Sequence, residues 1–254
     1  MTETGSPDGP TSTFDAQSLF DEDYLYFYAT RLADPRSDAQ TQLIWELLEL
    51  EPGMAVLDLA CGHGRIANRL AARGCRLTGL DTTSLFLEHA RRDAAERGVD
   101  VDYVEGDVRA LPWMEHFDRI ISWSTSFGYF DDTANRQVLA HIARALKPGG
   151  RVVLDLNNRD WLVREFQSAL VVERDGSMLI DRNRLEPLTG RIITERTVIR
   201  GGKTRRILFF VRLFTFTELR DWLLAAGFVR VDGCGQGGEP LSSASPRLIV
   251  VAYR

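Results

Sequence analysis

The sequence predicts an α/β fold, a doubly wound, mostly parallel sheet carrying a small antiparallel β insert. Three observations predict it. Between residues 54 and 156 short apolar runs alternate with stretches of helical periodicity, joined by short connections. A glycine-rich turn, Ala60-Cys61-Gly62-His63-Gly64, lies where the first run gives way to the first helix. Later, between residues 179 and 214, three runs follow one another through hairpin-like connections with no helix between them.

Residues 1 to about 13, rich in Gly, Pro, Ser and Thr, read as a disordered tail. An aromatic stretch follows, with Phe14, Phe20, Tyr24, Tyr26, Phe27 and Tyr28 around the acids Asp21, Glu22 and Asp23. Tail and stretch make residues 1–37 a candidate N-terminal lid. Ser37-Asp38 is placed to cap a helix whose Leu43, Ile44, Leu47 and Leu48 recur at helical spacing, and Pro52-Gly53 ends it.

The alternating part then reads as strands Met54–Leu59, Arg76–Leu80, Val101–Glu105, Asp118–Trp123 and Arg151–Leu156. Helices Arg65–Arg73, Ser84–Arg97 and Ala134–Leu146 lie between them, with Gly74, Gly98 and Pro148-Gly149-Gly150 as stops. Such βαβ units cross over right-handed and leave a parallel sheet covered on both faces. The insert, residues 179–216, holds strands Leu179–Leu185, Arg191–Arg200 and Thr204–Phe214. Thr215-x-x-Glu218 opens helix Glu218–Ala226, closed by Gly227, and strands Phe228–Asp232 and Arg247–Tyr253 finish the chain. The main domain is thus expected over 38–178 and 217–254, with the insert as substrate lid or dimer surface.

A net charge of −5 gives no general attraction for nucleic acid or an anionic membrane. The cysteines, Cys61, Cys75 and Cys234, lack paired metal-ligand spacing and fit a reduced, cytoplasmic setting. No apolar run approaches the length of a membrane span. No set of carboxylates suggests a Mg²⁺ site, so no metal is expected.

Gly62-x-Gly64-x-x-Ala67 by itself fits a dinucleotide fingerprint, in which glycines let the backbone approach a ligand at a helix N-terminus. Asp58 decides between ligands. At the strand end its carboxylate repels a pyrophosphate and attracts a cationic amino-acid moiety. S-adenosylmethionine (SAM), with an ammonium, a sulfonium and no phosphate, fits better than NAD.

Five segments, in order, are Asp58-Leu59-Ala60-Cys61-Gly62-His63-Gly64, Leu80-Asp81, Glu105-Gly106-Asp107-Val108, Ile121-Ser122-Trp123-Ser124 and Leu146-Lys147-Pro148-Gly149-Gly150. In these the chain resembles the class I SAM-dependent methyltransferases over about residues 38–160 and 217–254. More narrowly it resembles small bacterial small-molecule methyltransferases with an antiparallel insert after the fifth strand. The resemblance implies a seven-stranded Rossmann-like sheet with one antiparallel strand near its end. It also implies methyl transfer to N or O of a small-molecule acceptor, with SAM becoming S-adenosylhomocysteine. By position, Asp58, Ala60, Gly62 and Gly64 would hold the methionine end of SAM, Asp81 and Thr82 the ribose, Asp107 and Val108 the adenine. Ser122 would line the cofactor with backbone.

Tyr24, Tyr26 and Tyr28 either close over SAM, with Arg31 on its carboxylate, or pack on the core. Tyr129, after the fourth strand, is the hydroxyl best placed to orient an acceptor. His63, His89, His116 and His141 earn no catalytic role. Asn157, Asn158 and Arg159 either touch substrate or cap the next helix. Arg182, Arg184, Arg196 and Arg212 form a solvated sheet face or meet an anionic acceptor. Apolar residues facing both ways on the third insert strand motivate a homodimer hypothesis. The competing functions are RNA or protein methylation, an NAD-dependent reductase, and a SAM-binding scaffold without catalysis.

Overall fold

The structure, a computed structural model, describes residues 14–254. The expected disordered tail lies outside the described residues.

Strands β1 (Ala55–Leu59), β2 (Arg76–Asp81), β3 (Val101–Glu105), β4 (Phe117–Ser122) and β5 (Leu146–Asn157) are parallel neighbours. Joined by β10 (Arg230–Cys234) and β11 (Arg247–Tyr253), they form a seven-stranded sheet in the order β10-β11-β5-β4-β1-β2-β3. Only β11 runs against its neighbours β5 and β10. The chain leaves β1 toward β2 and β3 and returns to β4 on β1's other side. That reversal opens a crevice beyond the strand C-termini, where open α/β sheets bind ligands.

Strand residues alternate between two apolar layers. Leu57, Ile120 and Leu154 pack on one face with Leu139, Ile142 and Trp222, and Val56, Ile121 and Val153 on the other with Ile44, Leu70 and Leu87. Burial on both faces explains why these strands read as continuous apolar runs. The covering helices are α3 (Asp34–Leu47), α4 (Ala67–Ala71), α5 (Ser84–Arg97), α6 (Asp132–Ala145) and α8 (Phe216–Ala225). The short α7 (Arg159–Arg164) follows β5, and α1 (Ala16–Leu19) and α2 (Glu22–Tyr28) precede α3.

Several boundaries differ from expectation. Helix α3 begins at Asp34, because Pro35 presets its first turn. Ser37 is therefore buried inside it rather than capping it. Helix α4 is shorter than Arg65–Arg73, with Arg65 and Ile66 before it and Ala72 and Arg73 after it in turns. Thr215 does cap α8, accepting from Glu218 N–H, but the Glu218 carboxylate turns to Arg212 instead of completing the box.

The insert has four strands, β6 (Ala169–Arg174), β7 (Ser177–Glu186), β8 (Arg191–Arg200) and β9 (Lys203–Arg212), all antiparallel in that order. Strand β6, which the sequence reading left in the main domain, is joined to β7 by Asp175-Gly176, both with positive φ. That Asp-Gly pair is a hairpin signal.

Candidate active site

At the C-terminal edge of β1, β2 and β4 lies a cavity of about 340 Å³, within the range of small-molecule sites. The end of β1 brings Asp58 to its wall, 2% exposed. Burial pushes its carboxyl up to about 7, with nearby Asp81 adding to the rise and Arg65 and a backbone N–H opposing it. A buried acid so poorly compensated by its own protein fits a cationic ligand group.

The turn after β1 passes through positive φ at Ala60, Gly62 and Gly64. Its two glycines serve different ends. Gly62 lines the cavity, with φ +56, and its N–H donates to Asp81 Oδ2 at 2.8 Å. Gly64 lies behind the wall, where a Cβ would stand 2.2 Å from Tyr103 Oη. That phenol donates to Asn68 Oδ1 at 2.7 Å, so Gly64 is required by packing.

At the end of β2, Asp81 also accepts from Thr83 N–H at 2.9 Å. Burial raises its carboxyl and these N–H bonds pull it down. Thr82 lines the cavity beside it. Asp107, Val108 and Arg109 follow β3 along the wall. Hydrogen bonds from Arg109 hold the Asp107 carboxyl below the usual range, and the Arg109 guanidinium lies 4.6 Å from the Phe130 ring centroid.

The far end is aromatic. Phe14, Phe20, Tyr24, Phe86, Tyr129 and Phe130 line it. The Tyr129 ring centroid lies 4.6 Å from that of Phe14, the rings tilted, and 5.9 Å from that of Phe20, edge-on. Burial, then the neighbouring Tyr24, raises the Tyr129 phenol, so it stays a neutral hydroxyl. His63 also lines the cavity, and burial, then Arg65, lowers its imidazole to about 4.

Of the residues singled out in the sequence, Asp58, Ala60, Gly62, Asp81, Thr82, Asp107, Val108 and Tyr129 line this cavity, and Gly64, Ser122, Tyr28 and Arg31 do not. Ser122 is buried in β4. Arg31 is exposed, its guanidinium 5.3 Å from the Tyr28 ring. The Tyr28 hydroxyl instead accepts from Arg196 Nη2 at 2.9 Å. Besides Arg109, the wall carries a second cation, Arg65, which sits next to the glycine turn. It donates to Gln40 Oε1 at 2.6 Å and Ser124 Oγ at 2.8 Å.

The expected solvated arginine face exists only in part. Arg182 and Arg184 are exposed, but Arg196 and Arg212 are buried. Arg196 forks onto Asp181 at 2.7 and 2.8 Å, and Arg212 ties β9 to Glu218 of α8. Asn158 caps α7, accepting from Asp160 N–H at 3.1 Å.

The roof is the N-terminal segment, clamped to the insert. Asp23 meets Arg200 at 2.9 Å and Arg205 at 3.0 Å, and Tyr26 donates to Asp175 at 3.0 Å. Phe27 packs with Leu179 and Val198 of the insert.

The sequence profile of a methyltransferase domain matches residues 56–150, the span from β1 to β5 that builds the acid wall. A cypemycin N-terminal methyltransferase from a Streptomyces species is 31% identical over 218 residues, 80% of this chain and 84% of that protein. The chain belongs to the class I SAM-dependent methyltransferases. A ubiquinone biosynthesis O-methyltransferase of Erwinia tasmaniensis is 34% identical over 124 residues, covering 44% of this methyltransferase and 46% of its relative. The SAM-bound amino pentose methyltransferase CalS10 of Micromonospora echinaspora superposes with a TM-score of 0.64 at 20% identity, over 97% of this chain and 100% of the other. Membership of the family implies use of SAM. Among the described residues no helix is long and apolar enough to cross a membrane.

Proposed function

We propose that this methyltransferase carries the methyl group of SAM to a small-molecule acceptor, at nitrogen in preference to oxygen. Bound SAM supplies an electrophilic methyl on a sulfonium, whose departure leaves S-adenosylhomocysteine. Asp58 meets the ammonium of the methionine end and Arg65 its carboxylate. The carboxylate of Asp81, beside Thr82, takes the ribose hydroxyls, and Asp107 with Val108 the adenine. The aromatic end then receives the acceptor, with the Tyr129 hydroxyl orienting it under a roof of residues 14–32 and the insert.

One observation carries the choice of nitrogen. Among the described residues that line the cavity, the only imidazole is His63, whose fall to about 4 makes it a weak base at neutral pH. Of the lining carboxylates, Asp58, Asp81 and Asp107 are placed at the cofactor end, and Asp15 in the roof is engaged by the Gln17 and Ser18 N–H groups. An acceptor must then be nucleophilic before it gives up a proton, as a neutral amine is and an alcohol is not. Catalysis becomes positioning, with the nucleophile held about 3–3.5 Å from the methyl carbon in line with the leaving sulfur. The amine proton leaves to solvent after transfer. The name of the Streptomyces relative, an N-terminal methyltransferase, supports nitrogen and puts peptide α-amino groups among the acceptors to try.

The test is S-adenosylhomocysteine formation with matched amines, alcohols and carboxylates. The expected result is turnover with amines alone, with kcat/KM rising to a plateau at each amine's own pKa. Turnover of alcohols along a pH limb common to all acceptors would point instead to a protein base and to O-methylation.

A further inference from the structure

Two consecutive residues after β4, Ser124 and Thr125, both have φ +61. An L residue seldom holds that conformation, a β-branched one least of all, unless its surroundings impose it. Both line the cavity. The groups that impose it lie on β5 and β11. Ser124 N–H donates to Asp155 Oδ2 at 3.0 Å, and Thr125 N–H to the Asp155 carbonyl at 2.8 Å. Arg247 donates through Nε to Asp155 Oδ1 at 2.7 Å, through Nη2 to Thr125 Oγ1 at 2.9 Å, and through Nη1 to Asn157 Oδ1 at 2.6 Å. Asp155 is 3% exposed, so its carboxylate is tied to this one bracket.

Apolar packing is a poor alternative explanation. Behind Trp123 and Ser124 lies a second, polar cavity of about 90 Å³, lined also by Arg36, Gln40, Asp155 and Arg247. The turn is a partition between two cavities, and its shape depends on hydrogen bonds. What it presents to the larger cavity is Ser124 Oγ, which accepts from Arg65 Nη2 at 2.8 Å.

We propose that the Asp155–Arg247 pair is a positioning device that enforces the left-handed Ser124–Thr125 turn and, through Ser124, seats Arg65 at the cofactor end. The consequence for SAM rests on the reading of that end given above; the consequence for the turn does not. Without the bracket the turn relaxes toward ordinary φ, Ser124 Oγ leaves the guanidinium, and Arg65 keeps Gln40 but loses the second partner that aims it.

Three variants test this, Arg247→Gln, Arg247→Lys, and Arg247→Gln combined with Thr125→Gly, each checked for a cooperative thermal transition. Amide exchange of Ser124 and Thr125 is read on the ligand-free protein and SAM affinity by calorimetry. Arg247→Gln should speed exchange at both amides and weaken SAM about tenfold, with Arg247→Lys, which keeps the charge and loses the fork, in the same direction. Adding Thr125→Gly should recover most of the affinity, because glycine holds positive φ unaided. Wild-type exchange at both amides in Arg247→Gln and Arg247→Lys would overturn the bracket. An affinity loss that glycine leaves untouched would make Arg247 a mere sheet-packing residue and overturn it too. Wild-type protein that binds no SAM would instead remove the reading of the cofactor end, leaving exchange to judge the bracket.

Discussion

The two ends of the cavity are built by different logic. The cofactor end is assembled by the C-termini of β1, β2 and β3 and the turns that follow them, so each carboxylate is fixed by its place in a strand or in the turn just after it. The aromatic end is assembled by residues 14–24 reaching over to Tyr129 and Phe130, with the insert clamped behind them. One end places charge in a buried, hydrogen-bonded frame; the other places large uncharged rings under a roof tied down by partly exposed ion pairs. The difference predicts that cofactor affinity and acceptor turnover separate under mutation.

The sharpest break should come at Asp58. Asp58→Asn removes the buried charge facing the ammonium, and SAM affinity should fall about 100-fold by calorimetry, as for loss of a desolvated charge-assisted contact. Stability should move the other way. The folded pKa of about 7 lies above the ordinary value of 3.8, so the stability Asp58 contributes is full below about pH 4 and lost as pH rises through 7. An asparagine avoids that loss, and the ligand-free variant should gain roughly 1–3 kcal/mol at pH 8 in denaturant unfolding.

Asp81→Ala should weaken SAM by about tenfold and, unlike the change at Asp58, destabilise the fold by roughly 1–2 kcal/mol, because the Gly62 and Thr83 N–H groups lose their acceptor. A change in affinity without a change in stability would mean those bonds are replaced by water.

At the aromatic end, Tyr129→Phe should lower kcat about fivefold and leave SAM affinity within twofold, the loss expected for one orienting hydrogen bond. Equal losses in both would make the ring a packing element of the whole cavity. Smallest of all, Arg205→Gln loosens the roof from Asp21 and Asp23. Exposed pairs of this kind are worth at most about 1 kcal/mol, so a two- to threefold rise in acceptor KM is expected, matched in the wild type by high salt.

The same division explains what could be read from the sequence. The alternation of strands and helices, the glycine turn and the acids at strand ends are local, with chemistry and position in one short segment. Asp58, Gly62 and Asp81 were legible for that reason. Arg65 in the same segment is not legible, because no periodicity shows where an arginine points; Gln40 and Ser124, which aim it, are distant in sequence. Gly64 was legible as a glycine, but its cause, Tyr103 packed against it, is a tertiary contact. The roof depends on pairings such as Tyr28 with Arg196, which no local rule supplies. Strand β6 is signalled locally only by Asp175-Gly176, because its residues lack alternation, four of six being apolar.

If Asp58 meets the ammonium of SAM, binding must displace its proton, and a proton count tests that most directly. SAM should be titrated calorimetrically into wild-type protein and Asp58→Asn at pH 6 and pH 8, in buffers of different ionisation enthalpy. With a ligand-free carboxyl near 7, binding should release most of a proton at pH 6 and much less at pH 8 in the wild type, and the pH 6 release should vanish in the variant. Binding without proton release at pH 6, or with the same release in Asp58→Asn, would contradict the assignment of Asp58 to the ammonium of SAM.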